Sequence, residues 1–425
     1  MLLVGVACLA RPSAAQSLEP SLPRAPLGVR SGSEPHISVL TFGPGDQTFS
    51  KFGHDALWVH DPRKPTRQRD LVYNYGTFRF DSPWLILDFL KGRLNYWLSV
   101  STLERTLASY RAANRSVTAQ ELALGSDQIE ALTAFLVENA KPANAAYRYD
   151  YYRDNCATRI RDVLDRHLGG ALKAASGGSA RLTYRDHTRR LTVDSPPLFF
   201  ALDLALGPLI DRPISEWEEM FLPARVEAKL GQMRTERGEP LVRRRISLFE
   251  ARREPPLEDP PSFRWGWLFL GAAVGAALYG ASRVEQRWAR VSLATGLAVV
   301  SFVSGLLGCL LLVLWLLTDH EVTYWNQNVL LCPFWVIIVP FLAPGFARTR
   351  PRHAALVMRL VAAAAATSLL ALVSSALLSQ HSGPALALFV PSWLGACAAV
   401  WTRVGRPWPR WLPSSSPSSV AVPPT

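Results

Sequence analysis

Apolar and polar positions divide the chain into two halves that follow different rules. Up to about residue 262 they alternate or recur at helical spacing, and beyond that they run together in long apolar blocks. His36 to Phe42 alternates like a strand, and Gly43-Pro44-Gly45-Asp46 ends it in a turn. From Phe52 to His60 a period of two puts His54, Ala56, Trp58 and His60 on one face. Leu71 to Phe78 reads as a second strand beyond the polar loop 61–70, so the two runs predict an antiparallel hairpin. Residues 81–110 mix helical periodicity with the aromatics Trp84, Phe89, Tyr96, Trp97 and Tyr110, which serve either core packing or an acyl-chain groove or membrane-facing surface. Ser126 opens a helix through Ala140 that buries Ile129, Leu132, Phe135 and Leu136. Asp154 and Asn155 are N-cap candidates for the next helix, on which Ile160, Val163, Leu164 and Leu168 recur. Pro197 to Leu206 predicts another, and Ser215 with Glu218 has capping-box spacing after Pro213. Residues 231–262, charged and proline-rich, predict a linker.

Five apolar spans follow, at 263–282, 291–317, 329–347, 354–378 and 384–401, each about long enough to cross a bilayer. They predict a five-helix transmembrane domain over 263–403 and a cytoplasmic tail over 404–425. Arginines at 283, 287 and 290, at 348, 350 and 352, and at 403, 406 and 410 fall on one side. Loops 318–328 and 379–383 carry no Lys or Arg, so the basic side is expected to face the cytoplasm and residue 262 the outside. The short apolar run from Leu2 to Ala10, followed by Ser13-Ala14-Ala15-Gln16, agrees: it reads as a degenerate signal peptide over 1–16 without a positive start. The expected location is the bacterial cytoplasmic membrane, with a soluble domain at 35–230 in the periplasm. The loop Thr318 to Asn328 is rich in ionisable and amide groups and would face that domain, either simply wet or holding lipid head groups.

Charge adds little to this. The excess of 46 Lys+Arg over 34 Asp+Glu clusters around the apolar spans, and no nucleic-acid module is present, so topology rather than nucleic acid accounts for it. The cysteines change the picture more. Of five, Cys8 lies in the leader and Cys309, Cys332 and Cys397 lie in apolar spans, which leaves Cys156 alone in the soluble part. No pair has the spacing of a metal site, and neither metal nor cofactor is expected.

Cys156 falls in the first turn of a helix, where the macrodipole and free backbone N–H groups favour a thiolate and can receive an oxyanion. It is a candidate nucleophile. Such a nucleophile needs a base and a group that orients the base. His54 at a strand start is the base candidate. Asn74 on the neighbouring strand is the candidate orienter, with Tyr73, His60 and Asp61 as alternatives. The order His, Asn, Cys is a circular permutation of the order in papain-like enzymes. Tyr73, Asp154, Asn155, Trp97 and His320 are candidate substrate-binding residues.

Phe52-Gly53-His54, Leu57-Trp58-Val59, Tyr73-Asn74-Tyr75-Gly76-Thr77-Phe78, Arg115-Ser116-Val117, Tyr149 through Arg159 and Gly207 through Arg212 together resemble the Lnb N-terminal periplasmic domain family. The loop from Thr318 to Asn328 is similar to that family's membrane part. The resemblance implies an α+β chain, a permuted papain-like or NlpC-like cysteine domain followed by the helical membrane domain. It also implies an N-acyltransferase that acylates bacterial lipoproteins through a thioester, with Cys156 carrying the acyl group and His54 as base. Membrane lipids as donors and lipoproteins as acceptors are the partners expected. Two rivals use the same residues differently: a cysteine peptidase or amidase acting on cell-wall peptides, and a non-catalytic membrane scaffold whose cysteine is structural.

Overall fold

The computed structural model describes residues 34–78, 91–93, 95–262, 264–378 and 380–405. The expected leader at 1–16, Trp84, Phe89 and the tail beyond 405 lie outside the described residues. The chain forms two compact units. The first holds the residues up to 262 together with 310–329 and 374–385, and the second holds the rest of the apolar half.

The first unit is built on a seven-stranded antiparallel sheet of order β6-β4-β3-β2-β1-β5-β7. Its strands are β1 (His36–Phe42), β2 (His54–His60), β3 (Asp70–Thr77), β4 (Asn95–Thr102), β5 (Val117–Leu122), β6 (Ala146–Arg148) and β7 (Val242–Phe249). The period-two alternation sorts side chains onto two faces. Leu57, Val59, Tyr73 and Tyr75 point into one apolar layer. Ala56, Trp58 and Val72 point into the other. The first layer is closed by α2 (Ser126–Asn139), α3 (Cys156–His167) and α6 (Pro223–Gln232), through Leu132, Ile160, Leu164 and Val226. The second is closed by α1 (Leu103–Ala112) through Leu107. A third cluster forms around Tyr152, Tyr184 and Phe221, where α4 (Tyr184–Thr192) and α5 (Pro196–Ala205) pack.

Two segments depart from expectation. Residues 95–102 form strand β4 rather than helix; Tyr96 and Leu98 alternate into the core, and helical spacing begins only at Leu103, after the Thr102 cap. Residues 242–249, inside the expected linker, form the edge strand β7. Arg244 meets Glu121 and Arg245 meets Glu227, each at 2.8 Å, while Leu248 packs inward. The soluble domain therefore continues past residue 230.

Among the described residues, α7 (Arg264–Arg283), α8 (Arg287–Leu316), α10 (Pro351–Leu377) and α11 (Gly383–Val404) are four helices long and apolar enough to span a membrane; residues 310–316, 374–377 and 383–385 at their ends belong to the first unit. The remaining apolar segment is shorter than expected. After Pro333 it runs as a 3-10 turn, Phe334–Ile338, continued by α9 (Val339–Ala347) with Pro344 inside. At 2.0 and 1.5 Å per residue it reaches roughly 24 Å, short of a hydrocarbon core about 30 Å thick. Pro333 caps the start of this segment, and Pro340 and Pro344 within it each lack an N–H donor.

The polar loop 318–329 is built into the first unit, its amides Asn326 and Asn328 buried and Glu321 and Trp325 left exposed. Asn326 Nδ2 donates to Leu204 O at 2.8 Å and Ala205 O at 2.9 Å, and Asn328 Nδ2 to Leu204 O at 2.8 Å. The Gly207 N–H donates to Val322 O at 2.7 Å, an approach that a side chain on Gly207 would block. Gln380 Nε2 donates to Asn326 Oδ1 at 2.9 Å. Asp319 takes Arg93 and Arg148, and Glu321 takes Arg153, each at 2.8 Å. The amides bind the carbonyls exposed at the C-terminal end of α5. Arg185, 1 % exposed, fixes the same corner by donating to Asp211 Oδ1 at 2.7 Å, Asp203 O at 2.9 Å, Leu206 O at 2.8 Å and Gly207 O at 3.0 Å.

Candidate active site

The end of the sheet where β2 begins and β3 finishes meets the N-terminus of α3, and three chain features direct side chains there. Gly53, at φ +84°, turns the chain so that β2 opens on His54. The β3–β4 register shifts between Asn74 and Thr77, and Gly76 sits in the shift at φ +89°, a backbone conformation that favours glycine. The third feature is the cap of α3. Asn155 Oδ1 accepts from the N–H groups of Ala157 at 2.9 Å and Thr158 at 3.0 Å, and Thr158 Oγ1 accepts from Asn155 N at 2.8 Å. Asn155 Nδ2 donates to Tyr151 O at 3.0 Å and Phe221 O at 2.9 Å, so the start of α3 is tied to two flanking segments.

His54 and Asn74 lie on the same face of adjacent strands, and His54 Nε2–H donates to Asn74 Oδ1. A neutral ring protonated at Nε2 carries its lone pair on Nδ1, across Cε1. A Cβ built on Gly76 would lie 3.5 Å from His54 Cε1, 3.6 Å from Cys156 Cβ and 3.8 Å from the Tyr147 hydroxyl. The bare backbone of Gly76 thus fronts a small space on which histidine, cysteine and a tyrosine hydroxyl converge. The structure brings His54, Asn74 and Cys156 together.

The electrostatics differ from those of a thiolate–imidazolium pair. Cys156 is buried, and burial pushes its thiol up despite the opposing backbone N–H groups of Asp55, Ala157 and Cys156 itself and the Arg115 guanidinium. The macrodipole argument expected a favoured thiolate; desolvation wins. Burial likewise lowers His54 to about 4, against the Asn74 hydrogen bond. Both groups are therefore neutral near pH 7. Of the first-turn N–H groups, the Asn155 cap already holds those of Ala157 and Thr158, which leaves that of Cys156 for an oxyanion.

The other predicted residues fall elsewhere. Tyr73 is buried in the core on the opposite face from Asn74. His60 pairs with Asp70 at 2.7 Å, six residues up β2 and roughly 20 Å from His54 at the strand rise. Asp61 pairs with Arg63 at 2.8 Å. Asp154 holds Arg159, whose guanidinium lies 4.2 Å from the centre of the Tyr147 ring. Asn155 caps α3. Trp97 packs against the core, and His320, in the docked loop, stacks on Tyr151 with ring centres 6.3 Å apart.

Tyr147 escaped sequence reasoning because it occupies a three-residue strand. The signal is present, however: tyrosines at 147, 149 and 151 recur with period two just ahead of Cys156. Tyr96 and Tyr149, stacked at 4.1 Å, complete an aromatic wall beside the thiol, and burial raises Tyr96 to about 12. Among the described residues no group of three or more His, Cys, Asp or Glu side chains is arranged to hold a metal.

Residues 30–190 match the family described as the Lnb N-terminal periplasmic domain, and residues 261–403 match that described as the Lnb transmembrane domain. No curated protein and no solved structure matches the chain.

Proposed function

Because the chain belongs to the Lnb family through both its periplasmic and its membrane-spanning part, we propose that this multi-pass membrane protein is a cysteine acyltransferase that N-acylates lipoproteins. The acyl chain comes from a membrane lipid and passes through a thioester on Cys156. The observation that carries the reading is the convergence of His54, oriented by Asn74, and Cys156 at the start of α3 around Gly76. The chain order His, Asn, Cys supports a permuted papain-like arrangement of that site.

In the first half-reaction His54 Nδ1 takes the Cys156 proton as sulfur attacks the ester carbonyl. Collapse of the tetrahedral intermediate breaks the acyl C–O bond, and His54 returns the proton to the leaving alkoxide. In the second, the lipoprotein α-amine attacks the thioester, His54 takes the amine proton, and the departing thiolate recovers it. Asn74 keeps the ring in the tautomer that leaves Nδ1 basic. The neutral resting pair suits this sequence, since proton transfer accompanies attack. Transfer rather than hydrolysis requires water to be kept from the thioester, a role for the Tyr96–Tyr149 wall. The apolar helices tether the thiol to the bilayer that holds both lipid donor and lipoprotein acceptor, so encounter is confined to a plane. The loop arginines support a cytoplasmic C-terminus and a periplasmic site.

In cells dependent on this protein, Cys156→Ser and His54→Ala are expected to leave lipoproteins with a free α-amine, while Asn74→Ala retains partial activity. Full N-acylation in the Cys156→Ser strain overturns the proposal. Turnover of peptidoglycan fragments with untouched lipoproteins transfers the site to the hydrolase reading.

A further inference from the structure

The Tyr147 hydroxyl is buried without a hydrogen-bond partner among the described residues, as are Arg115 Nη2 and the carboxyl oxygens of Asp55, and of these it is the one seen before Gly76. It faces the same space as His54 and Cys156. A buried hydroxyl left without a hydrogen bond is costly and persists where something else fills the need, typically a ligand. Acyl transfer at Cys156 creates such a need. When sulfur adds to a carbonyl, the π pair moves to oxygen, and that oxyanion requires donors within about 2.7–3.1 Å. In the first turn of the nucleophile's helix Ala157 and Thr158 N–H already donate to Asn155 Oδ1, which leaves the Cys156 N–H to be joined by a second donor.

Resting on the acyltransferase reading, we propose that the Tyr147 hydroxyl is the side-chain oxyanion donor of this site and hydrogen-bonds the carbonyl oxygen of the acyl group throughout both half-reactions. The residue is a rigid donor. Its strand pairs with β4, Tyr96 opposite Tyr147. Its ring lies under the Arg159 guanidinium, itself held by Asp154, and meets Tyr75 edge-on at 6.2 Å. Burial and the neighbouring Cys156 and Asp154 raise its ionisation far above the usual phenol range, so the group remains O–H and donates at every working pH. No proton is transferred from it: the C–S bond forms, the oxyanion is held, the C–O or C–S bond then breaks, and His54 alone carries the proton. This also separates Tyr147 from its ring neighbour Tyr75. Tyr75 Oη is already committed to Asn139 Oδ1 at 2.5 Å, whereas Tyr147 is not.

The test uses full-length protein in detergent, with a phospholipid donor and a diacylated lipopeptide acceptor. Tyr147→Phe is expected to lower kcat by about 10²- to 10³-fold with KM within about threefold, the range for loss of one oxyanion donor. Two readouts exclude a structural effect. Iodoacetamide alkylates sulfur without forming an oxyanion, so its rate at Cys156 is expected to be unchanged. A long-chain aldehyde, whose thiohemiacetal places an oxygen where the oxyanion forms, is expected to bind at least tenfold more weakly to Tyr147→Phe. Wild-type kcat and aldehyde affinity in Tyr147→Phe overturn the proposal. A parallel loss of iodoacetamide reactivity does so too, by making the residue structural. Cys156→Ala separates the two levels. If that variant is inactive while Tyr147→Phe is fully active, only the donor assignment fails; if it remains active, the thioester reading fails with it.

Discussion

Replacing Asn155 should damage the protein in a graded way, because this buried side chain makes four hydrogen bonds of two kinds. Its oxygen accepts from Ala157 and Thr158 N–H, and its amide nitrogen donates to Tyr151 and Phe221 carbonyls. At a net value of about 0.5–1.5 kcal/mol per bond, Asn155→Ala should cost roughly 2–6 kcal/mol. Asn155→Ser keeps a capping oxygen and loses the two donors, so its cost should fall near half of that. Asn155→Asp keeps the acceptors and gains from the helix N-terminus, but aims a carboxylate at two buried carbonyl oxygens and so should also destabilise. For a domain of this size each kcal/mol moves the melting temperature by about 2–4 °C, so Asn155→Ala should lower it by about 5–20 °C in full-length protein followed by intrinsic fluorescence. Activity should fall further than stability, since the cap sets where α3 begins and hence where Cys156 points. A melting temperature within 2 °C of wild type for Asn155→Ala, or a Ser variant equal to wild type, would refute the reasoning.

Three other outcomes are expected. With the Cys156 thiol raised and His54 lowered to about 4, both by burial, alkylation by iodoacetamide should climb continuously from pH 6 to 9; a plateau across that range would mean a resting ion pair. Asp55 is fully buried, and burial pushes its carboxyl well above the usual carboxylate range. Its folded form therefore favours the proton, and stability is lost as pH rises above the unfolded value near 3.9. Asp55→Asn should then raise the melting temperature at pH 8 and leave it unchanged near pH 3, and equal effects at both would count against the assignment. Arg185→Met leaves Asp211 buried without its arginine, while Asp203 keeps Arg189; this should cost about 3–5 kcal/mol and expose loop 318–329 to limited proteolysis.

The parts of the fold legible in the sequence are those where local pattern and tertiary demand agree. The alternation around His54 and Asn74 already implied two paired strands on one face, and the Asp154-Asn155 pair marked the start of α3, because alternation and capping are local. Tertiary partners explain the misreadings. Arg243 to Arg245 looked like linker until Glu121 and Glu227 supplied carboxylates from distant elements. Asn326 and Asn328 looked solvated because nothing in their own loop indicates that α5 leaves its carbonyls free. At the site, helix position alone predicted an acidic thiol, but the sign is set by burial under Tyr96, Tyr147 and Tyr149, which no local rule reports. Tyr147 belongs with these: the tyrosine run at 147, 149 and 151 marks its strand, but its importance comes from a missing partner that only the fold reveals.

The central claim, that Cys156 carries an acyl group taken from a lipid, is tested most directly by intact-mass and peptide mass spectrometry of the full-length protein after incubation with phospholipid and no acceptor. The account predicts a single added acyl chain on Cys156, released by hydroxylamine or by a diacylated lipopeptide and missing in Cys156→Ser and His54→Ala. An unmodified Cys156 with every lipid offered, together with cleavage of cell-wall peptides, would contradict it.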